Sequence, residues 1–142
     1  MKTRSALLAL LLLAAASAPA HAGSSSGERR ALRALLAKYN SSAEHRDVGA
    51  MASVLHERYR LTVKMGAKLL VIDKKAYLNM LRAKKLGGEK RAMNVASIDV
   101  TGNVGHIKVR FTGRKARFVE YLSLLRDGQG WRILGSTAQI TK

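Results

Sequence analysis

Up to Gly87-Gly88 most apolar residues of this chain recur every third or fourth position; beyond that pair they recur every second. A period near 3.6 puts side chains on one stripe of a helix, and a period of two puts them on one face of a strand. Leu32, Leu35, Leu36 and Tyr39 therefore predict an amphipathic helix over about Glu28–His45, with Arg29, Arg30, Arg33 and Lys38 on its other side. Ser25 followed by Glu28 matches a capping box at its start. Asp47 is the expected N-cap of a second, short helix with Met51, Val54 and Leu55 on its apolar face. Tyr59 to Val63 alternates as a strand, Met65 to Lys68 turns, and Leu69 to Ile72 makes a second short strand. Asp73 then caps a third helix carrying Ala76, Tyr77, Met80 and Leu81, which Gly87-Gly88 is expected to stop.

Beyond the glycines the pattern is all strand. Met93 to Val100, Ile107-Val109-Phe111, Phe118 to Arg126 and Trp131 to Ile140 are separated by turns at Thr101-Gly102-Asn103, Thr112–Lys115 and Asp127–Gly130. The expected fold class is α+β: three N-terminal helices packed on one face of a curved, mostly antiparallel meander. Phe118 to Arg126 is apolar on both faces, which predicts cover on both sides and a homodimer paired through the sheet.

The N-terminus carries an address. A basic start (Met1-Lys2-Thr3-Arg4), an apolar run from Ala6 to Ala16 and the small-residue site Ser17–Ala22 form a secretory signal pattern. The run falls short of the roughly 20 residues a spanning helix needs. The expected division is a cleavable signal peptide over 1–22, a flexible lead-in over 23–27 and one domain over 28–142. Cleavage is placed after Ala22, with Ala20 as the alternative, and the location is periplasmic or secreted. The 142 residues hold no Cys. That excludes a disulfide framework, a thiolate metal site, a cysteine nucleophile and a lipid-anchored N-terminus.

With 26 Lys+Arg against 9 Asp+Glu, the chain has a formal charge of +17. Such a field attracts anions. Basic clusters fall at Lys84-Lys85, Lys90-Arg91 and Arg114-Lys115-Arg117, so anionic envelope polymers, lipid headgroups or an acidic protein are possible partners. Aromatics make up only 5% and sit in core phase, which argues against nucleic acid. His45, His56 and His106 lack zinc-ligand spacing, and Gly87-Gly88 leads into Glu89 rather than a phosphate loop. Neither a metal nor a cofactor is expected.

The order of elements and four local runs resemble the nuclear-transport-factor-2-like (NTF2-like) superfamily, in particular its small SnoaL-like and lumazine-binding branch. The runs are Tyr39-Asn40 with Asp47, Met51–His56 leading into Tyr59-Arg60-Leu61, Tyr77-Leu78, and Phe118–Leu125 with Asp127-Gly128 and Gly130–Ile133. The resemblance spans about residues 28–140. It implies a cone in which helices plug a bent sheet around a pocket, used in different members for isomerase, cyclase or dehydratase chemistry, for binding or for dimerisation. Fold alone does not choose among these.

By the same resemblance, Tyr39 falls where ketosteroid isomerases carry a tyrosine, Glu120 near their second carboxylic acid, and Val63 where they carry the base. Valine takes no proton, so that chemistry is not expected. Glu120 lies in phase with Phe118, Leu122 and Leu124, so its strand face would bury a carboxylate. It reads either as a pocket acid or ligand anchor, or as one half of an ion pair with Arg110, Arg117 or Arg132. His56 reads as pocket lining or as a surface or capping residue. Tyr39, Tyr59, Tyr77 and Trp131 are core-phase aromatics that read either as core packing or as walls of a ligand cavity. The expected function is exported binding of a small, largely apolar ligand by Tyr39, His56, Tyr59, Tyr77, Glu120 and Trp131. Two alternatives stand beside it: an isomerase, cyclase or dehydratase using Glu120 and His56 as an acid–base pair, and a basic envelope interaction protein.

Overall fold

Three side chains beside backbone amides set where the helices begin. In the computed structural model, which describes residues 25–141, Ser25 Oγ accepts from the Glu28 N–H at 3.2 Å, Asp47 Oδ1 from Ala50 at 2.9 Å and Asp73 Oδ1 from Ala76 at 2.8 Å. These caps satisfy amides that the first helical turn leaves unpaired. The helices are α1 (Ser26–His45), α2 (Val48–Val54) and α3 (Lys74–Arg82). The strands are β1 (Leu55–Met65), β2 (Lys68–Asp73), β3 (Ala92–Thr101), β4 (Val104–Thr112), β5 (Arg117–Asp127) and β6 (Gly130–Thr141). The expected signal peptide over 1–22 lies outside the described residues. No described helix is long and apolar enough to cross a membrane.

Local departures from the sequence reading have physical causes. The capping box is one-sided, because the Glu28 carboxylate pairs with Arg126 on β5 at 3.2 Å. Leu55, expected on the apolar face of α2, opens β1 instead and pairs with Ile133 on β6. A register shift between Leu55 and Arg60 absorbs the early start of that strand. Helix α3 ends at Arg82, well before the glycine pair. Gly87 and Gly88 have φ of 67° and 81° and shape the connection to β3 rather than the helix end.

The sheet order is β2-β1-β6-β5-β4-β3. From β3 to β6 it is the expected antiparallel meander, but β1 joins β6 in parallel, so the sheet is mixed. Further register shifts in the β3–β4 and β5–β6 pairs mark bulges, which bend a sheet. Leu32 and Leu36 of α1, Met51 of α2 and Leu81 of α3 are fully buried, as are Ile107 and Leu122 on the inner sheet face. Burying each such side chain contributes about 1.5–3 kcal/mol. Along β5 the inner residues Glu120, Leu122 and Leu124 are buried, whereas Tyr121 on the outer face is 54% exposed. Within one chain this strand is therefore covered on one face only, and the outer side carries Lys108 with its Nζ 5.1 Å from the Tyr121 ring centre.

Candidate functional site

Register places one acid in the middle of an apolar row. Leu70, Val63, Ala138, Glu120, Val109 and Val95 stand side by side across all six strands. Ala138 is small, and so are Ala43 on α1 and Gly87 in the α3–β3 connection, so helices and sheet do not fill the space between them. The result is a cavity of about 330 Å³ walled chiefly by Leu61, Val63, Leu70, Ile72, Met80 and Phe118, with Tyr39, Tyr77, Arg91 and Glu120 as its polar lining.

Glu120 is 5% exposed. Its Oε2 accepts two hydrogen bonds, from the Tyr39 hydroxyl at 3.1 Å and from Ser136 Oγ at 3.0 Å. Ser136 reaches it from β6, two positions along from Ala138, the residue opposite Glu120. Oε1 has no hydrogen-bond partner among the described residues. Burial raises the pKa of this carboxyl above the usual value; nearby Arg91 and the Ser136 and Tyr39 hydrogen bonds offset only part of the effect. Two donors already occupy Oε2, so Oε1 is the oxygen left free. In its protonated form an acid held this way can donate to a ligand oxygen, and in its ionised form it can accept from a ligand donor.

Around it lies a cluster of phenols. Burial, with the Glu120 charge second, pushes the Tyr77 hydroxyl up to about 12. Burial also holds Tyr39 and Tyr59 well above 10. All three therefore stay neutral at ordinary pH. Tyr59 packs edge-on against Tyr77 with ring centres 5.7 Å apart. Its hydroxyl is buried close to those of Tyr39 and Ser136, yet makes no hydrogen bond of normal geometry.

Arg91 is the cation of the site, and sequence reasoning placed it only in a surface cluster. Its guanidinium lies 4.0 Å above the Phe111 ring centre and 6.0 Å from that of Tyr39. Nε donates to Asn40 Oδ1 at 2.7 Å, and the backbone N–H donates to Glu44 Oε1 at 2.9 Å. Nη2 is buried without a partner. The signal available in the sequence was Asn40 and Glu44, one helical turn apart on α1, ready to hold a basic residue. Arg110 and Arg117, expected as partners of Glu120, are exposed, and Arg132 is bonded to Asp127.

The structure gathers Tyr39, Tyr77 and Glu120 at the cavity and sets the Tyr59 hydroxyl behind them. It does not bring His56 or Trp131 there. His56 accepts from the Arg58 N–H at 3.1 Å and lies 4.0 Å from Asp127, at the opposite end of β5 from Glu120. Trp131 is half-buried near that end, with the Arg126 guanidinium 5.1 Å from its ring centre. Glu120 and His56 are therefore not an acid–base pair, because the length of a strand separates them. Val63 lines the cavity, so the place the resemblance assigns to a base holds an apolar side chain.

Three helices packed on a curved, mostly antiparallel sheet form the NTF2-like fold, and solved structures agree. An NTF2-like protein of unknown function from Silicibacter pomeroyi superposes with a TM-score of 0.75 at 20% identity, covering 83% of this chain and 99% of that one. One from Shewanella baltica gives 0.74 at 16%, covering 84% and 98%. A ketosteroid isomerase-like protein from Erwinia carotovora atroseptica gives 0.66 at 14%, covering 83% and 99%. These likenesses establish the fold. No curated protein matches the chain in sequence. Residues 27–137 match the family described as "Putative lumazine-binding", and the chain belongs to that family.

Proposed function

We propose that this protein is an exported binder of a small, largely apolar molecule, held in the cavity between the helices and the sheet. The observation that carries the reading is Glu120 Oε1, an unpaired oxygen on a buried acid at a hollow whose other walls are mostly hydrocarbon. Apolar walls supply affinity, while a few placed polar groups fix orientation. A cavity of roughly 150 Å³ accepts benzene; about 330 Å³ has room for a two-ring molecule or a chain of similar bulk. The family description, which names lumazine, agrees with a small cyclic ligand. Polar groups confined to Glu120, Arg91 and the tyrosines favour a less polar one. With Val63 at the base position and His56 far away, the site supports holding a ligand over shuttling its protons.

Native mass spectrometry of protein purified from its own host tests this. The expected result is a co-purifying small molecule on the wild type that is lost on Ala138→Leu, which narrows the cavity. A wild type that carries no passenger and takes up no aromatic or aliphatic probe overturns the proposal.

A further inference from the structure

The mouth of the cavity specifies more than its interior does. A smaller hollow of about 90 Å³, lined by Ala43, Gly87, Glu89, Arg91 and Phe118, shares all of these but Glu89 with the main cavity and adjoins it on the side where Gly87 is exposed. Glu120 lines only the inner part. Glu89 Oε1 accepts the backbone N–H groups of Arg114 at 2.8 Å and Lys115 at 3.1 Å. That tie brings the α3–β3 connection against the β4–β5 loop. The backbone of Arg114 and Lys115 is thereby fixed beside Glu89, next in sequence to Lys90 and Arg91, so two basic segments distant in sequence come close to this end of the cavity.

The acids near this opening are already engaged. Glu89 is held by two amides, and Glu44 accepts from the Arg91 backbone and from Asn40 Nδ2. Arg91 is the reverse case. Its Nε is fixed by Asn40 and its plane by Phe111, while Nη2 is buried with its hydrogen-bonding capacity unused. A guanidinium locked in orientation with a free donor edge suits a planar anion, which it meets with parallel N–H···O bonds.

We infer that the ligand is an amphipathic carboxylate: its head is held at the mouth by Arg91, and its apolar body points inward toward Glu120. This rests on the binding function proposed above and adds the class and orientation of the molecule. The Lys90, Arg114 and Lys115 charges raise the local concentration of such anions and speed their entry. Glu120 Oε1 then meets whatever oxygen the inner end of the ligand carries.

The test is calorimetric titration with two probes of the same two-ring body, 2-naphthoate and 2-naphthalenemethanol. The wild type is expected to prefer the carboxylate by about tenfold or more, the scale of a charge-assisted hydrogen bond. Arg91→Gln should bring the ratio of the two affinities close to one, with Arg91→Lys in between, because lysine keeps the charge and loses the fork. Raising salt should weaken naphthoate binding to the wild type and leave the alcohol unaffected. That arm needs no variant to fold. Equal affinity of the wild type for both probes, or a preference that persists in a folded Arg91→Gln protein, overturns the anion assignment and leaves the cavity function standing. Failure of both probes to bind the wild type overturns the two together.

Discussion

Replacing Glu120 by glutamine and by alanine separates the two physical effects of this residue. The unfolded chain loses the Glu120 proton near the usual 4.5, while the folded chain, where burial raises that value, holds it to higher pH. Between the two values the folded state binds more protons, so this group makes stability fall as pH rises through that window. Each tenfold difference in proton affinity is worth about 1.4 kcal/mol. Glutamine keeps a carbonyl oxygen for Tyr39 and Ser136 and never ionises. Glu120→Gln should therefore gain on the wild type as pH rises above the usual carboxyl value, by that amount for each tenfold difference in proton affinity. Alanine removes the acceptor and orphans two buried hydroxyls, at about 1–3 kcal/mol each, or about 2–6 kcal/mol together, offset in part by loss of the desolvated acid. At pH 7.5 the expected order is Gln at or above wild type, and both above Ala. Urea unfolding followed by circular dichroism at several pH values measures all three. Parallel pH profiles for wild type and Glu120→Gln, or an alanine variant more stable than the glutamine one, would refute the account of a buried acid held by two donors.

Other expectations follow from the same geometry. Ala138→Leu adds three carbons beside a hollow, worth up to about 2.4 kcal/mol if they fit, so the melting temperature should hold or rise while ligand is lost; a fall of several degrees would mean a filled interior. Gly87→Ala should cost about 2 kcal/mol or more in a denaturant titration, because φ is 67° and a Cβ there overlaps the Ala43 carbonyl oxygen. Protein recovered from a native envelope or medium fraction should have a mass beginning at Gly23, and recovery with Met1 retained would remove the export proposal. Light scattering after size exclusion is expected to give a dimer; a monomer at every concentration would sink the pairing expected through the outer face of β5.

Much of the fold could be read locally because its causes are local. Ser25, Asp47 and Asp73 each cap a helix, and alternation along β4 and β5 faces Ile107, Val109 and Leu122 inward. The parallel pairing of β1 with β6 has no such signature, since register between strands so far apart in sequence is set by the assembled sheet. At the site, the phase of Glu120 announced a buried acid, and Tyr39 lay on the buried stripe of α1. Their meeting could not be read, nor could Ser136, because a serine in an alternating strand carries no mark of its partner. Arg91 was hidden among surface charges for the same reason. His56 and Trp131 misled because both sit at strand ends, where position in sequence does not say which end of the sheet they occupy.

The parallel seam between the first strand and the last also bears on how the molecule is made. Ribosomal synthesis finishes Leu55–Met65 long before Gly130–Thr141 exists, so the hairpin of β1 and β2 must wait with one edge open until the C-terminus arrives. Contacts of such wide sequence separation slow folding. Ala138 and Ser136 belong to that final segment, so the wall of the cavity is incomplete until β6 has been made. A chain ending at residue 129 would lack the central strand rather than a dispensable tail, and it should collapse without acquiring any binding ability.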